Sequence, residues 1–115
     1  MKIIKNSIIP FEGFAAMNLF GILFVRKEYA DRCEGTEKYD LMINHESIHT
    51  EQQKDLLYIF FYIWYVIEWF LKLFYYFDSD KAYHNISFER EAYANESDMN
   101  YISDKRKKFS FLKYI

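Results

Sequence analysis

The sequence predicts an α+β fold that is mainly helical, with a short pair of strands at the N-terminus and helices after it. Its three glycines and its only proline lie within the first 35 residues, and neither residue type occurs after Gly35. Short β-branched or aromatic runs fill the early part of the chain, whereas later apolar residues recur at three- and four-residue intervals. The first pattern is typical of strands and turns, and the second is typical of helices.

Two runs in the strand region 1–30 have strand-like composition. Residues 2–9 and 19–27 are rich in β-branched and aromatic residues, and the turn-prone segment 10–13 separates them. Gly21 lies inside the second run, where a glycine can mark a β-bulge. Residues 28–38 are polar and contain Gly35, so we expect a loop that leads into the first helix.

A helical pattern begins near Tyr39 and forms the first part of the predicted helical region 39–77. Spacings of three and four residues place a set of side chains along one helical face. That set contains Leu41, Met42, His45, Ile48, His49, Gln52 and Leu56. The two histidines are therefore predicted to point in the same direction.

Residues 56–77 form a nearly uniform apolar segment in which only Glu68 and Lys72 are charged, at a spacing that allows them to pair. The segment is long enough to cross a bilayer. A straight helix of that length would carry the chain roughly 33 Å away from the histidines. We therefore expect the segment to kink or end near Trp69 and to pack against the later helix. Its aromatic side would then face a membrane interface or a second subunit.

The last part of the single predicted domain 1–115 comprises a helix within residues 81–104 and a basic, aromatic tail at 105–115. Ser87 is predicted to cap the helix with its hydroxyl, while Glu89 and Glu91 complement the positive end of its dipole. The tail contains four consecutive basic residues followed by aromatic ones. It is either a solvated helix end or an anchor for anionic lipid headgroups.

Composition limits the partners and the location of the protein. Apolar residues make up 51% of the chain and aromatic residues 22%, so part of the surface is expected to contact lipid or another protein. A net charge of −2 argues against nucleic acid as the main partner. Cys33 is the only cysteine, and the N-terminal residues do not have the pattern of a signal peptide. We expect a cytoplasmic protein, with association with the inner face of the membrane as a further expectation.

The run His45-Glu46-Ser47-Ile48-His49 predicts a zinc site. Two histidines one helical turn apart can direct their imidazole nitrogens at one ion, about 2.0 to 2.1 Å away. Glu46 follows the first ligand, where its carboxylate can reach a water activated by the ion and act as a general base. This pattern favours zinc-dependent hydrolysis.

A catalytic zinc site usually has three protein ligands, so a third is expected downstream. Glu89 is our first choice, because a helix antiparallel to the first can direct its carboxylate at the metal. Glu91 and His84 are the alternatives. A carboxylate near Arg90 and Lys81 can equally form a surface salt bridge.

The motifs His45-Glu46-x-x-His49-x-x-Gln52-Gln53 and Glu89-x-x-Ala92 resemble those of minimal gluzincin-type metallopeptidases, over residues 19–96. The resemblance implies a minimal zincin-like fold, Zn²⁺ as cofactor and Glu89 as the third ligand. Relatives usually have an aspartate or asparagine four residues after that glutamate to orient a metal-binding histidine, whereas this chain has Tyr93. Gln52 and Gln53 are expected either to hydrogen-bond the ligands or the strand above the helix, or to form a polar helix surface.

The predicted activity is the cleavage of peptide or protein substrates. An edge strand above the active-site helix, expected at residues 19–27, can bind an extended peptide. Tyr83 and Tyr93 are either oxyanion donors or packing residues. The alternatives are a non-catalytic protein whose zinc staples two helices, with His84 as a fourth ligand, and a membrane-associated interaction module without metal.

Overall fold

The computed structural model describes residues 1–8 and 15–115. The described residues form a mainly helical α+β fold, as predicted. The turn predicted at residues 10–13 and the end of the first predicted strand lie outside the described residues. The elements are β1 (Lys2–Asn6), β2 (Ala16–Leu19), β3 (Ile22–Arg26), α1 (Lys27–Cys33), α2 (Glu37–Asp55), α3 (Ile59–Tyr76), α4 (Ser79–His84) and α5 (Ser87–Asn95). A π-helical turn (Tyr101–Lys105) and a 3-10 turn (Ser110–Tyr114) follow.

Within the described residues the sheet has three strands in the order β1-β3-β2, not the predicted pair. β1 is parallel to β3 and β2 is antiparallel to it. The single strand predicted at 19–27 is wrong because Phe20 (φ 53°) and Gly21 (φ 82°) form a two-residue hairpin turn between β2 and β3. Positive φ at both central positions suits the twist of a hairpin, so Gly21 is a turn residue and not a bulge.

The predicted loop at residues 28–38 is also wrong, because α1 occupies most of it. α1 buries only Tyr29 and Ala30. Gly35 follows it in the left-handed region (φ 89°), and the Thr36 hydroxyl then caps α2 by accepting a hydrogen bond from the Tyr39 amide. α2 begins close to the predicted start and keeps His45 and His49 on its buried side, as its spacing predicted.

The chain bends before α3 and not within it. Leu57 (φ 54°) and Tyr58 (φ 65°) both have left-handed backbones between α2 and α3. From Ile59 the helix continues unbroken through Trp69, so the predicted kink at that position is wrong. By length and composition alone, α3 is long and apolar enough to cross a membrane, and only 11% of its residues are buried.

The chain returns from α3 through the short helix α4, which packs beside α3, and α5 then packs against α2. α5 starts at the middle of α3, where Glu68 accepts hydrogen bonds from the Ser87 amide (2.5 Å) and the Ser87 hydroxyl (2.6 Å). Ser87 therefore does not cap its own helix as predicted. Ile86 is the N-cap residue, and the buried carboxylate of Glu68 performs the capping from outside.

Apolar packing is divided among three small clusters. The first joins the sheet to α1 and α2 around Leu23 and Val25. The second joins α3, α5 and the C-terminal turn around Phe88 and Phe111, and the third joins α2 to α5 around Ile48. The packing of α3 against the later helix agrees with the prediction, and it brings α5 alongside the two histidines.

Candidate metal centre

Three side chains from two antiparallel elements meet between α2 and α5. The Nε2 atoms of His45 and His49 lie 3.1 Å apart, and each lies 3.1 Å from Oε1 of Glu89. All three residues are buried, with exposed fractions of 7%, 6% and 4%. Together they form a group able to hold a metal ion. The structure thus brings together the three residues that the sequence singled out first.

Hydrogen bonds from behind determine which atoms of the histidines face this point. Nδ1 of His45 lies 2.9 Å from Oε2 of Glu96, and Nδ1 of His49 lies 2.7 Å from Oε1 of Gln52. The Gln52 amide nitrogen donates to the Phe88 carbonyl oxygen (3.0 Å), so its oxygen must be the atom that accepts from His49. Both imidazoles then carry hydrogen on Nδ1 and present the Nε2 lone pair to the centre.

Glu89 is oriented in the same way. Its Oε2 atom accepts a hydrogen bond from the Tyr65 hydroxyl (2.8 Å), which leaves Oε1 directed at the histidines. Three lone pairs therefore converge with spacings of 3.1 Å, close to the roughly 3.3 Å that separates donors in a tetrahedral zinc site. Such an arrangement is repulsive unless a proton or a metal ion lies among the three atoms, so the donor set fits a metal ion.

The electrostatics of the centre favour a cation. Burial opposes the protonated form of His49, but the Glu89 carboxylate outweighs it and raises the pKa of His49 to about 10. Burial also disfavours ionised Glu89, yet the charge of His49 and hydrogen bonds from both histidines hold the pKa of Glu89 well below its usual range. The carboxylate is thus ionised at neutral pH, and a proton or a metal ion balances it.

Glu46 lies at a cavity that opens onto this centre. The cavity has a volume of about 260 Å³ and is lined by His49 and Glu89 from the cluster, by Glu46, and by residues of β2 and α3. Within residues 1–8 and 15–115, no hydrogen bond or ion pair of the Glu46 carboxylate is found. A carboxylate without a structural partner beside a cation site is available for proton transfer.

The strand beside this cavity is β2, whereas the sequence predicted residues 19–27. Asn18 of β2 donates hydrogen bonds to the Glu46 carbonyl oxygen (2.9 Å) and to Thr50 Oγ1 (2.9 Å). Gln53 donates to Asn18 Oδ1 (3.3 Å) and accepts from the Gly21 amide (2.9 Å). Gln53 therefore bonds the hairpin above the helix while Gln52 bonds His49. Among the described strands β2 is at the edge of the sheet.

The two alternative third ligands lie elsewhere. Glu91 is fully buried on the far side of Gln52, where its carboxylate accepts from Gln52 (2.9 Å), the Tyr101 hydroxyl (2.7 Å) and Arg106 (2.8 Å). His84 is exposed, and its Nδ1 lies 2.8 Å from the Asp80 carbonyl oxygen. Neither belongs to the group with His45 and His49.

Tyr93 contacts His45 through its ring and not through a hydrogen bond to the imidazole. The ring centroids are 4.6 Å apart with an edge-on geometry. The residue that orients His45 is Glu96, which sequence analysis missed. Glu96 follows Glu89 by seven residues, or two helical turns, and that spacing was a usable signal. Tyr65 was also missed, because nothing distinguishes it from the other tyrosines of an aromatic helix.

The fold and the cluster define a mainly helical α+β protein with a buried two-histidine, one-glutamate group able to hold a metal ion. Comparison with protein-family models, with curated proteins and with solved structures finds no match. The similarity to gluzincins therefore stays a prediction that depends on the two sequence motifs.

Proposed function

We propose that this protein is a zinc-dependent hydrolase that cleaves peptide bonds, with His45, His49 and Glu89 as metal ligands and Glu46 as general base. One observation carries the proposal: three donor atoms converge, each oriented from behind, and two of the three residues, His49 and Glu89, line a cavity together with Glu46. A two-histidine, one-glutamate set is a common ligand set of catalytic zinc. Ferrous iron also binds two histidines and a carboxylate, so elemental analysis is needed to identify the metal.

The chemistry divides between the ion and the chain. When bound, zinc supplies Lewis acidity, which lowers the pKa of water and polarises a carbonyl group. Glu46 accepts the proton of the attacking water as the new bond to the carbonyl carbon forms. It returns that proton to the amine as the C–N bond breaks.

Two further groups at the cavity suit a peptide substrate. Tyr83 lines the cavity, and burial raises the pKa of this phenol, so its hydroxyl remains a hydrogen-bond donor for a carbonyl oxygen. Met17 and Asn18 of β2 also line the cavity, and an extended chain can add to the edge of a strand through backbone hydrogen bonds. These features support a peptide over a compact small molecule.

The number of protein donors supports catalysis over a structural staple. A structural zinc site is usually closed by four protein ligands, whereas a catalytic site keeps one position open. Within the described part of the chain the group has three members, and His84, the fourth ligand that a staple was predicted to use, is not among them.

The test is elemental analysis by mass spectrometry of the purified protein after mild chelator treatment, combined with cleavage of a mixed fluorogenic peptide library. We expect one zinc per chain in the native protein, in Glu46→Gln and in the matched control His84→Ala, and none in His49→Ala. Cleavage should fall at least a hundredfold in Glu46→Gln, because a general base contributes about 10² to 10⁴ in rate.

Two results would overturn the proposal in different ways. Native protein without metal after loading with zinc would remove the metal site. The second result is a native protein that holds zinc but either cleaves no peptide or cleaves peptides as fast as Glu46→Gln. That result would keep the metal site but reject hydrolysis.

A further inference from the structure

The outward side of α3 has the opposite polarity from that of an ordinary surface helix. Six apolar residues on this side are each at least 48% exposed: Phe60, Ile63, Val66, Ile67, Phe70 and Leu71. The two charged residues of the helix face the protein instead, with Glu68 only 7% exposed and Lys72 within 4.0 Å of it. A helix that faces water normally places its apolar residues inside and its charges outside.

This apolar surface is continuous and large. At about 100° per residue, the six side chains span an arc of about 140° without a polar interruption. Together with the exposed residues that continue to the end of α3, they expose on the order of 1,000 Å² of apolar area. The largest patch on a typical monomer is about 300 to 600 Å², and larger patches mark protein or membrane contacts. The outward side of α3 therefore has the character of a binding surface.

The C-terminal turn extends the same surface. Ile115 and the α3 residues Phe60, Trp64 and Leu71 line one groove of about 430 Å³, and the largely buried Glu68 lies in its wall. Phe111 holds the turn in place, since its ring packs edge-on against Trp64 with 5.1 Å between centroids. Leu112 is 49% exposed on this turn. The surface thus comprises the outward side of α3 and the turn Ser110–Tyr114 with Ile115.

Positive charge lies on the C-terminal turn of this surface and in the segment just before that turn. Lys107, Lys108 and Lys113 are exposed, and within the described ranges 1–8 and 15–115 none of them has an ion-pair partner. The neighbouring Lys105 and Arg106 differ, because they pair with carboxylates of the protein. Lysines without an ion-pair partner on and next to an apolar turn suit the anionic headgroups of a lipid bilayer.

We propose that this surface binds an anionic lipid bilayer, with α3 lying in the plane of the interface. A second copy of the chain is less favoured, because a two-fold contact between the two grooves would bring both sets of lysines to one interface. A spanning helix is less favoured as well. On the inward side of α3, Glu68 accepts hydrogen bonds from Ser87 and the helix packs against α4, so spanning would place these polar elements in hydrocarbon. The proposal does not depend on a bound metal.

The test is flotation of the full chain with vesicles of phosphatidylcholine alone or mixed with phosphatidylglycerol, together with tryptophan fluorescence. We expect binding to the mixed vesicles, weaker binding in high salt, and a blue shift of the emission. The double variant Ile67→Glu/Leu71→Glu should reduce binding at least tenfold. The matched control Met99→Glu changes a residue that is 52% exposed outside the surface, and it should bind normally.

A second arm tests the charge separately. Replacing Lys107, Lys108 and Lys113 by alanine should abolish the preference for phosphatidylglycerol, whereas the exposed Lys27→Ala should keep it. Circular dichroism confirms folding of each variant. Equal binding by the glutamate double variant would overturn the proposal. The proposal would also be overturned if the native protein binds neither type of vesicle and sediments as a dimer while the double variant sediments as a monomer.

Discussion

Each of the three side chains of the candidate metal centre directs one atom at the centre, and a hydrogen bond to a second atom of the same side chain determines its orientation. Glu96 orients His45, Gln52 orients His49, and Tyr65 orients Glu89. Such partners reduce the freedom of the ligands and fix the imidazole tautomer before an ion binds. The affinity of the centre for metal should therefore depend on residues that never touch the ion.

Glu96→Ala tests this dependence at one residue. Loss of the carboxylate frees His45 Nδ1 and allows the other tautomer, so we expect zinc affinity to fall about 10- to 100-fold. Competition with a chromophoric zinc chelator measures the change. Glu51→Ala is the matched control, because the Glu51 side chain is 32% exposed against 28% for Glu96 and its only observed partner in the described chain is Lys54. Equal affinities for both variants would show that His45 needs no orientation from Glu96.

The three members of the candidate metal centre could be predicted from the sequence because they obey short rules. His45 and His49 are one turn apart on a helix, and that spacing alone puts both imidazoles on one face. Glu89 could be ranked first, but the choice between Glu89 and Glu91 depends on which side of α5 faces α2. The role of Tyr65 depends on the packing of whole helices, and no local pattern in the sequence carries that information. Glu96 follows Glu89 at a spacing of two helical turns, which could have indicated it.

The junction between α3 and α5 shows how one buried carboxylate can position a helix. Glu68 accepts from the Ser87 amide and hydroxyl and also from Trp64 Nε1 (3.0 Å). α5 has no side-chain cap of its own, so Glu68 satisfies donors at the helix start that would otherwise be buried without a partner. Glu89, two residues further on, is thereby fixed relative to α3.

Glu68→Ala should therefore be costly for so small a change. We expect the free energy of unfolding to fall by about 2 to 4 kcal/mol, since buried donors lose a charged acceptor. Urea denaturation of the metal-free protein measures it. Lys72→Ala, one turn away on the same helix, should change the free energy by less than about 1 kcal/mol, because Lys72 is partly exposed and 4.0 Å from Glu68. A similar small loss for both variants would mean that α5 does not need the external cap.

Helices and strands could be predicted where the amino-acid composition of a segment favours the conformation that the segment adopts. They could not be predicted elsewhere. The helical spacing located α2, and the apolar run located α3. The prediction put the bend at the wrong position. Leu57 and Tyr58 adopt left-handed backbones, which favour glycine, so the residue types at these positions do not indicate a bend. α1 was missed because it buries only Tyr29 and Ala30 and shows too little apolar periodicity. The order of strands follows from tertiary packing, which strand composition does not encode.

Over the whole molecule, hydrogen bonds between buried polar groups connect parts of the structure that belong to different apolar clusters. Arg106 donates to Glu91, Glu91 accepts from Gln52, and Gln52 accepts from His49. This chain of hydrogen bonds runs from the C-terminal segment to the candidate metal centre. Arg106 also bonds Asp55 (2.9 Å), at the end of α2. The C-terminal segment is thus joined both to α2 and to the side of the centre opposite the cavity.

Arg106→Met should destabilise the fold without emptying the centre. Glu91 is 0% exposed, so removal of its cation leaves a buried charge uncompensated and should lower the free energy of unfolding by about 3 to 5 kcal/mol. Metal content should be kept, because the Phe88 carbonyl still fixes the Gln52 amide that orients His49. Chemical denaturation and elemental analysis of the same samples separate the two effects.

Two companion variants identify the cause of that loss. Arg106→Met/Glu91→Gln should recover part of the stability, since the double variant removes the charge that the single variant strands. Lys105→Met is the matched control, because its ion pair with Asp98 is at the surface, and it should change stability by less than about 1 kcal/mol. If the double variant is no more stable than Arg106→Met, the loss comes from packing of the arginine stem, and the buried charge is not what couples the C-terminal segment to the centre.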